Sequence, residues 1–195
     1  MSKHVVLATE KPFSASARDQ ILAILKDARY EAVALEKYSG KGALIDALKN
    51  ADAVIIRSDI IDAEVLGGAA KLSLVVRAGA GYDNVDTKTA KERGVAVMNT
   101  PGQNANAVAE LVLGMMVMQA RNLYDGSTGS ELKGKTLGLH AFGAVARAVA
   151  TIAQGFGMQV LAFDPFVGAD AMKAAGVEAV SSVAALYERS RYVSL

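Results

Sequence analysis

Apolar residues in the first half of the chain come in short unbroken runs, separated by segments where they recur at helical spacing. The runs predict strands at residues 4–8, 32–35, 53–57, 72–77 and 95–99. The intervening segments predict helices over about 14–28 and 42–49, around 62–66 and near 86–93. Strands that are apolar throughout, rather than alternating, belong to a parallel sheet covered by helices on both faces. Thr100-Pro101-Gly102 interrupts this pattern, and a domain boundary is expected there, giving lobes 1–100 and 101–195. A long apolar helix over roughly 104–121 follows and is expected to cross from one lobe into the other. Its Gly114-Met115-Met116-Val117-Met118 run suits a core or a helix–helix seam, with a dimer interface or a hinge as the alternative. Residues 122–135, containing Asp125-Gly126-Ser127-Thr128-Gly129-Ser130, read as a flexible connection.

The pattern then sharpens. An apolar run at 136–140 enters a turn of small residues, a helix-period segment covers 144–156, and a second apolar run at 159–163 ends in Asp164. Strand, turn, helix, strand and acid in that order form the fingerprint of a dinucleotide-binding unit. Small residues let the backbone approach a pyrophosphate, and the helix N-terminus offers free N–H groups and a positive dipole end. The turn reads Ala141-Phe142-Gly143-Ala144-Val145-Ala146 where the ideal is G-x-G-x-x-G. Gly143 keeps the middle position, and Ala146 adds only a methyl at the third. Ala141 is the real departure, because an alanine is strained wherever the turn needs positive φ. The cofactor-binding set is Ala141, Phe142, Gly143, Ala144, Val145, Asp164 and Pro165. Asp164 is placed to hold an adenosine ribose through its hydroxyls, which favours NAD over NADP because a carboxylate repels a 2′-phosphate.

Composition narrows the alternatives. Formal net charge is +1 with charged residues scattered singly, so there is no electrostatic footprint for nucleic acid or an anionic membrane. The absence of Cys removes disulfides and thiolate metal sites and suits a reducing compartment. The N-terminal apolar run is too short for a signal peptide or a span, so a cytoplasmic location is the default expectation. His4 and His140, far apart and without acids at ligand spacing, make no metal site. His140, beside the turn, reads as partly buried and structural.

Several runs together carry a resemblance. They are Val76-Arg77-Ala78-Gly79-Ala80-Gly81-Tyr82-Asp83-Asn84-Val85-Asp86, Val97-Met98-Asn99-Thr100-Pro101, Val108-Ala109-Glu110-Leu111, Glu131-Leu132-Lys133-Gly134-Lys135-Thr136-Leu137-Gly138 and Tyr192-Val193-Ser194-Leu195. With them the chain resembles the NAD-dependent D-2-hydroxyacid dehydrogenase family, and within it the branch that acts on 3-phospho-D-glycerate.

The resemblance implies an α/β protein: a flavodoxin-like substrate lobe followed by a partial Rossmann (doubly wound parallel) dinucleotide-binding lobe, the two flanking a cleft. Arg57 and Arg77 resemble the arginines that meet the substrate's anionic groups, a task that suits a guanidinium fork; a surface salt bridge is the plainer reading of each. Ala78 and Gly79, in the run 78–81, resemble the loop whose amides hold a substrate carboxylate. Asn99 and Asn104 flank the passage into the cofactor lobe, Asn104 equally suited to capping the long helix, and Asp83 and Asp86 read as turn and capping residues. The implied reaction is oxidation of 3-phospho-D-glycerate to 3-phosphohydroxypyruvate, a step of serine biosynthesis, with NAD as cofactor, a small anionic 2-hydroxyacid as substrate and a homodimer as the working form.

The family's histidine, glutamate and carboxylate-binding arginine lie in the second half of the cofactor lobe, past the residues matched here. No catalytic residue is therefore assigned, and the 195 residues are expected to be inactive alone, with only the first mononucleotide half of the sheet and an open parallel edge. A non-catalytic NAD-binding regulator and an assembly partner are the alternative roles.

Overall fold

In the computed structural model, which describes residues 2–195, the chain divides into two units, Met1–Pro101 and Gly102–Leu195. The first alternates strictly: β1 (His4–Thr9), α1 (Ala15–Asp27), β2 (Glu31–Glu36), α2 (Lys41–Leu48), β3 (Ala53–Ile56), α3 (Ala63–Gly68), β4 (Leu74–Arg77), α4 (Thr87–Glu92) and β5 (Ala96–Met98). All five strands are parallel, in the order β2-β1-β3-β4-β5. This is the flavodoxin-like order expected of the substrate lobe, and its ligand side lies outside the carboxyl ends of the strands.

Local chemistry places the helix starts. Ser14, Asp62 and Asp86 each cap a helix by accepting first-turn N–H groups. Asp86 is held below the usual carboxylate range by the Thr89 N–H and then the Thr89 hydroxyl, which assigns it to capping. Val6, Ala8, Val54, Ile56 and Val75 of the strands close a core with Leu44, Leu48, Val65 and Leu66 of the helices.

The second unit runs α5 (Ala105–Ala120), β6 (Thr136–His140), α6 (Ala144–Gly155), β7 (Gln159–Phe163), α7 (Ala169–Ala174), β8 (Glu178–Ala179), α8 (Val183–Arg189) and β9 (Tyr192–Ser194). Its parallel sheet has the order β8-β7-β6-β9. Leu137, Leu139, Val160 and Ala162 pack under α5, α6 and α7. The opposite face meets α8 at Gly138, where a Cβ would strike Ser190 Oγ and come within 3.1 Å of Leu186. The reversal from β8 across to β9 makes a topological switch point between β6 and β9, where this class of sheet binds ligands.

Several expectations change. All of α5 lies in the second unit, where Ala109, Leu113 and Met116 share its core. The sheet extends one strand past the three of a first mononucleotide half, because β9 pairs with β6 and becomes the parallel edge strand. The methionines divide, with Met116 8% exposed in the core while Met115 and Met118 stand 53% and 45% exposed. The expected flexible connection is fastened instead. After α5, Asn122, Leu123 and Tyr124 all take positive φ, and Asn122 Nδ2 donates to Ser127 Oγ and the Thr128 carbonyl. The Ser130 N–H donates back to the Ala120 carbonyl at 2.7 Å.

Candidate functional site

Two sites form, one at the strand ends of each unit. In the second unit β6 runs directly into the turn, and Ala141 adopts φ 120°. That backbone is strained for any residue with a Cβ, and the non-glycine departure legible in the sequence falls on it. Releasing the strain in Ala141→Gly is expected to raise stability by about 1 kcal/mol, from about 1–3 kcal/mol of strain less the entropy glycine adds to the unfolded chain. Calorimetry should show the second unit melting about 4–8 °C higher.

Gly143 is a different kind of glycine. Its φ is −77°, which any residue can adopt, and a Cβ built on it meets no atom within 4 Å. Neither the backbone nor a protein neighbour requires glycine there, and the space above it is open. Gly143 caps α6 with no side-chain bond, leaving the N–H groups of Ala144, Val145 and Ala146 directed out of the helix start.

Asp164 at the tip of β7 ties the turn together. Its Oδ2 accepts the Phe142 N–H and its Oδ1 the Phe166 N–H, both at 2.8 Å. These two bonds, with Arg147 nearby, hold its carboxyl below the usual range. Each oxygen keeps a further lone pair for a ribose hydroxyl. Phe142 contributes only main chain to this surface: its ring is fully buried, with the Arg147 guanidinium 4.6 Å from its centroid. Pro165 is exposed beside Asp164. His140 Nδ1 lies 3.0 Å from the Tyr187 hydroxyl, a contact between β6 and α8.

In the first unit the site lies where β1, β3 and β4 end side by side. Arg57 follows β3 and Arg77 closes β4, and neither makes a salt bridge among the described residues. Arg57 Nη1 donates to the carbonyls of Lys11 (3.0 Å) and Pro12 (2.7 Å), and its guanidinium stacks 5.3 Å from the centre of the Phe13 ring. Its Nε–Nη2 edge carries no bond among the described residues. Arg77 does the converse: Nε donates to the Arg57 carbonyl at 3.1 Å, leaving its Nη1–Nη2 end. The Arg77 guanidinium lies over Gly79, where a Cβ would displace it from this position.

The loop amides are redistributed relative to the expectation. The N–H groups of Ala78 and Gly79 are taken by the carbonyls of Ile56 (2.8 Å) and Arg77 (2.9 Å). Among the described residues the amides left without a partner are those of Ala80 and Gly81, one and two positions on. Asn99 fixes this loop by donating to the Ala80 carbonyl at 2.7 Å, and the Thr100 N–H holds the Gly79 carbonyl. Asn104 sits at the N-cap of α5 without a side-chain bond.

Asp59, Tyr38 and Asn84 also belong to this site, and sequence reasoning missed their part in it. Asn84 Nδ2 bridges the carbonyls of Arg57 and Asp59. Asp59 accepts the Tyr38 hydroxyl at 2.7 Å, and burial, followed by that bond, pushes the Tyr38 phenol up. The available signal was thin: a polar pair, Ser58-Asp59, directly after an apolar strand.

A parallel sheet whose first strand runs into a glycine-bearing turn, with a free helix start and an acid at the tip of the next strand, defines a dinucleotide-binding α/β domain, here preceded by a flavodoxin-like one. The chain belongs to the D-isomer specific 2-hydroxyacid dehydrogenase family, whose catalytic-domain model matches residues 6–194. It is similar to the D-3-phosphoglycerate dehydrogenases of Homo sapiens (38% identical) and Methanocaldococcus jannaschii (33%), in each case over 80% of this chain and 32% of the relative. The NAD+-bound 3-phosphoglycerate dehydrogenase of Entamoeba histolytica superposes with a TM-score of 0.90 at 41% identity, over 99% of this chain and 62% of that one. The chain thus spans about a third of the length of the curated relatives it matches.

Proposed function

We propose that this chain is the substrate lobe and the nucleotide-binding part of an NAD-dependent dehydrogenase that oxidises 3-phospho-D-glycerate to 3-phosphohydroxypyruvate. The observation that carries the cofactor reading is Gly143, a glycine needed by neither backbone nor neighbour, at the open start of α6 opposite Asp164. The residues present fit NAD: the α6 N–H groups would hold the pyrophosphate, and the spare lone pairs of Asp164 would accept ribose hydroxyls. When bound, the nicotinamide supplies a hydride-accepting carbon. Arg57 through its Nε–Nη2 edge and Arg77 through its Nη1–Nη2 end bind the substrate's anionic groups, and the Ala80 and Gly81 amides orient a carboxylate. Names of relatives and the two free guanidinium edges both support a phosphorylated substrate.

The 195 residues alone bind nucleotide without turning substrate over. A general base must come within hydrogen-bond reach of its proton. His4 begins β1, at the opposite end of its sheet from Arg57, and His140 is engaged with Tyr187. Fluorescence titration with NADH, with NADPH as control, tests the reading. Saturable NADH binding that NADPH does not match supports it; no binding by the folded chain overturns it.

A homodimer completes the proposal. Leu111, Met115 and Met118 stand exposed along α5 and share an apolar groove with Tyr124 and Phe156. A contiguous apolar strip of this kind marks an interaction surface, here for a second copy. Sedimentation equilibrium should show a dimer for the native chain and a monomer for Met115→Lys/Met118→Lys, with unchanged circular dichroism.

A further inference from the structure

Asp59 is a buried carboxylate, 6% exposed, that binds no substrate group in the reading above. Its oxygens gather the ends of three neighbouring strands. Oδ1 accepts the Glu10 N–H after β1 and the Tyr38 hydroxyl after β2, both at 2.7 Å, and Oδ2 accepts the Arg57 N–H after β3 at 3.1 Å. A carboxylate withdrawn from water is tolerated only when its lone pairs are filled in this way. The same loop is gripped from its other end, because Arg57 Nη1 holds the Lys11 and Pro12 carbonyls and its guanidinium stacks on Phe13. Residues 10–13 are therefore tied at the first position by Asp59 and at the next three by Arg57. The orientation of the free Nε–Nη2 edge follows from both.

We propose that Asp59 is a positioning residue of the anion site: by tethering the 10–13 loop and the Arg57 main chain to one buried point, it pre-sets the free edge of the Arg57 guanidinium to take a phosphate. The proposal rests on the reading of Arg57 as a holder of phosphorylated substrate. Ordering the arginine before the ligand arrives removes an entropy cost from binding. The Asp59 oxygens are taken by the Glu10 N–H, the Tyr38 hydroxyl and the Arg57 N–H, so its effect is expected on the group that Arg57 meets.

The test titrates the 195-residue chain with 3-phospho-D-glycerate and with D-glycerate, followed by heteronuclear NMR. Asp59→Asn keeps the volume but turns an NH2 group toward one of the three donors. It is expected to weaken 3-phospho-D-glycerate about tenfold and D-glycerate by less than about twofold, since general loosening would affect both. Unchanged affinity for 3-phospho-D-glycerate, or equal loss for both ligands, overturns the proposal. If Asp59→Asn unfolds the first unit, Tyr38→Phe removes one donor more gently and should weaken only the phosphorylated ligand, by about threefold; no selective loss there overturns the proposal equally. A native chain with no saturable shift at Arg57 or Arg77 sinks the substrate reading instead. Positioning is then read without ligand, from the ring-current shift that Phe13 imposes on the Arg57 side chain. Its loss in Asp59→Asn or, should that variant unfold, in Tyr38→Phe upholds the proposal, and its persistence refutes it.

Discussion

Asp164→Ala is expected to lose saturable NADH binding while the second unit stays folded. The carboxylate has two tasks that the structure separates. Its inner lone pairs accept the Phe142 and Phe166 N–H groups and shape the turn, and the outer ones are left for ribose hydroxyls. Hydrogen bonds to a charged group are strong enough that losing two costs on the order of a hundredfold in affinity. Asp164→Asn separates charge from shape: it should bind NADH weakly and discriminate less against NADPH, because the repulsion of a 2′-phosphate goes with the charge. Affinity of Asp164→Ala within about threefold of the native value would contradict the assignment.

The pH dependence follows from the same bonds. Because folding lowers the pKa of this carboxyl, its contribution is complete above the unfolded value of about 3.9 and is lost as pH falls through the folded value. NADH affinity should therefore stay level from about pH 8 to pH 5 as far as this group decides it. A decline already complete at neutral pH would assign ribose recognition to another group.

Phe142→Ala is expected to be the most destabilising single change in the second unit. The ring is fully buried among Leu137, Leu139 and Val149 and also carries the stacked Arg147 guanidinium. Emptying such a site costs about 3–5 kcal/mol, a large fraction of the roughly 5–15 kcal/mol that holds a domain together. Calorimetry should show the second unit melting more than about 10 °C lower. Phe142→Leu refills most of the volume and should cost no more than about 2 kcal/mol. If Phe142→Ala instead kept its melting temperature and lost only nucleotide affinity, the ring would be a ligand contact rather than a core residue.

The order of strands and helices, the break near residue 100 and the glycine turn were all legible, because each rests on neighbours in the chain. Apolar runs between helical periods leave few alternatives to a parallel sheet, and Asp86 announced itself as a cap by its position before a helix. The strain at Ala141 was also readable, since a G-x-G-x-x-G turn requires a particular φ whatever surrounds it. The short elements α7, β8 and α8 were not. Between residues 166 and 191 small and charged residues interrupt any apolar run, so neither strand nor helix periodicity stands out, and β9 becomes a strand because β6 has a free edge beside it.

What the chain determined by itself is therefore what local spacing and backbone conformation control: two successive lobes of repeated βα units, a nucleotide-type turn, and arginines at strand ends. Only the tertiary structure decided which atoms of those arginines remain free, because Arg57 and Arg77 satisfy carbonyls brought to them by other strands. It also decided that Ala80 and Gly81, rather than Ala78 and Gly79, keep open amides, and that Met115 faces out while Met116 faces in. Asp59 belongs in the same class. Its burial comes from three strand ends converging in space, and hydrogen bonds between segments 21 to 49 residues apart leave no trace in the local pattern.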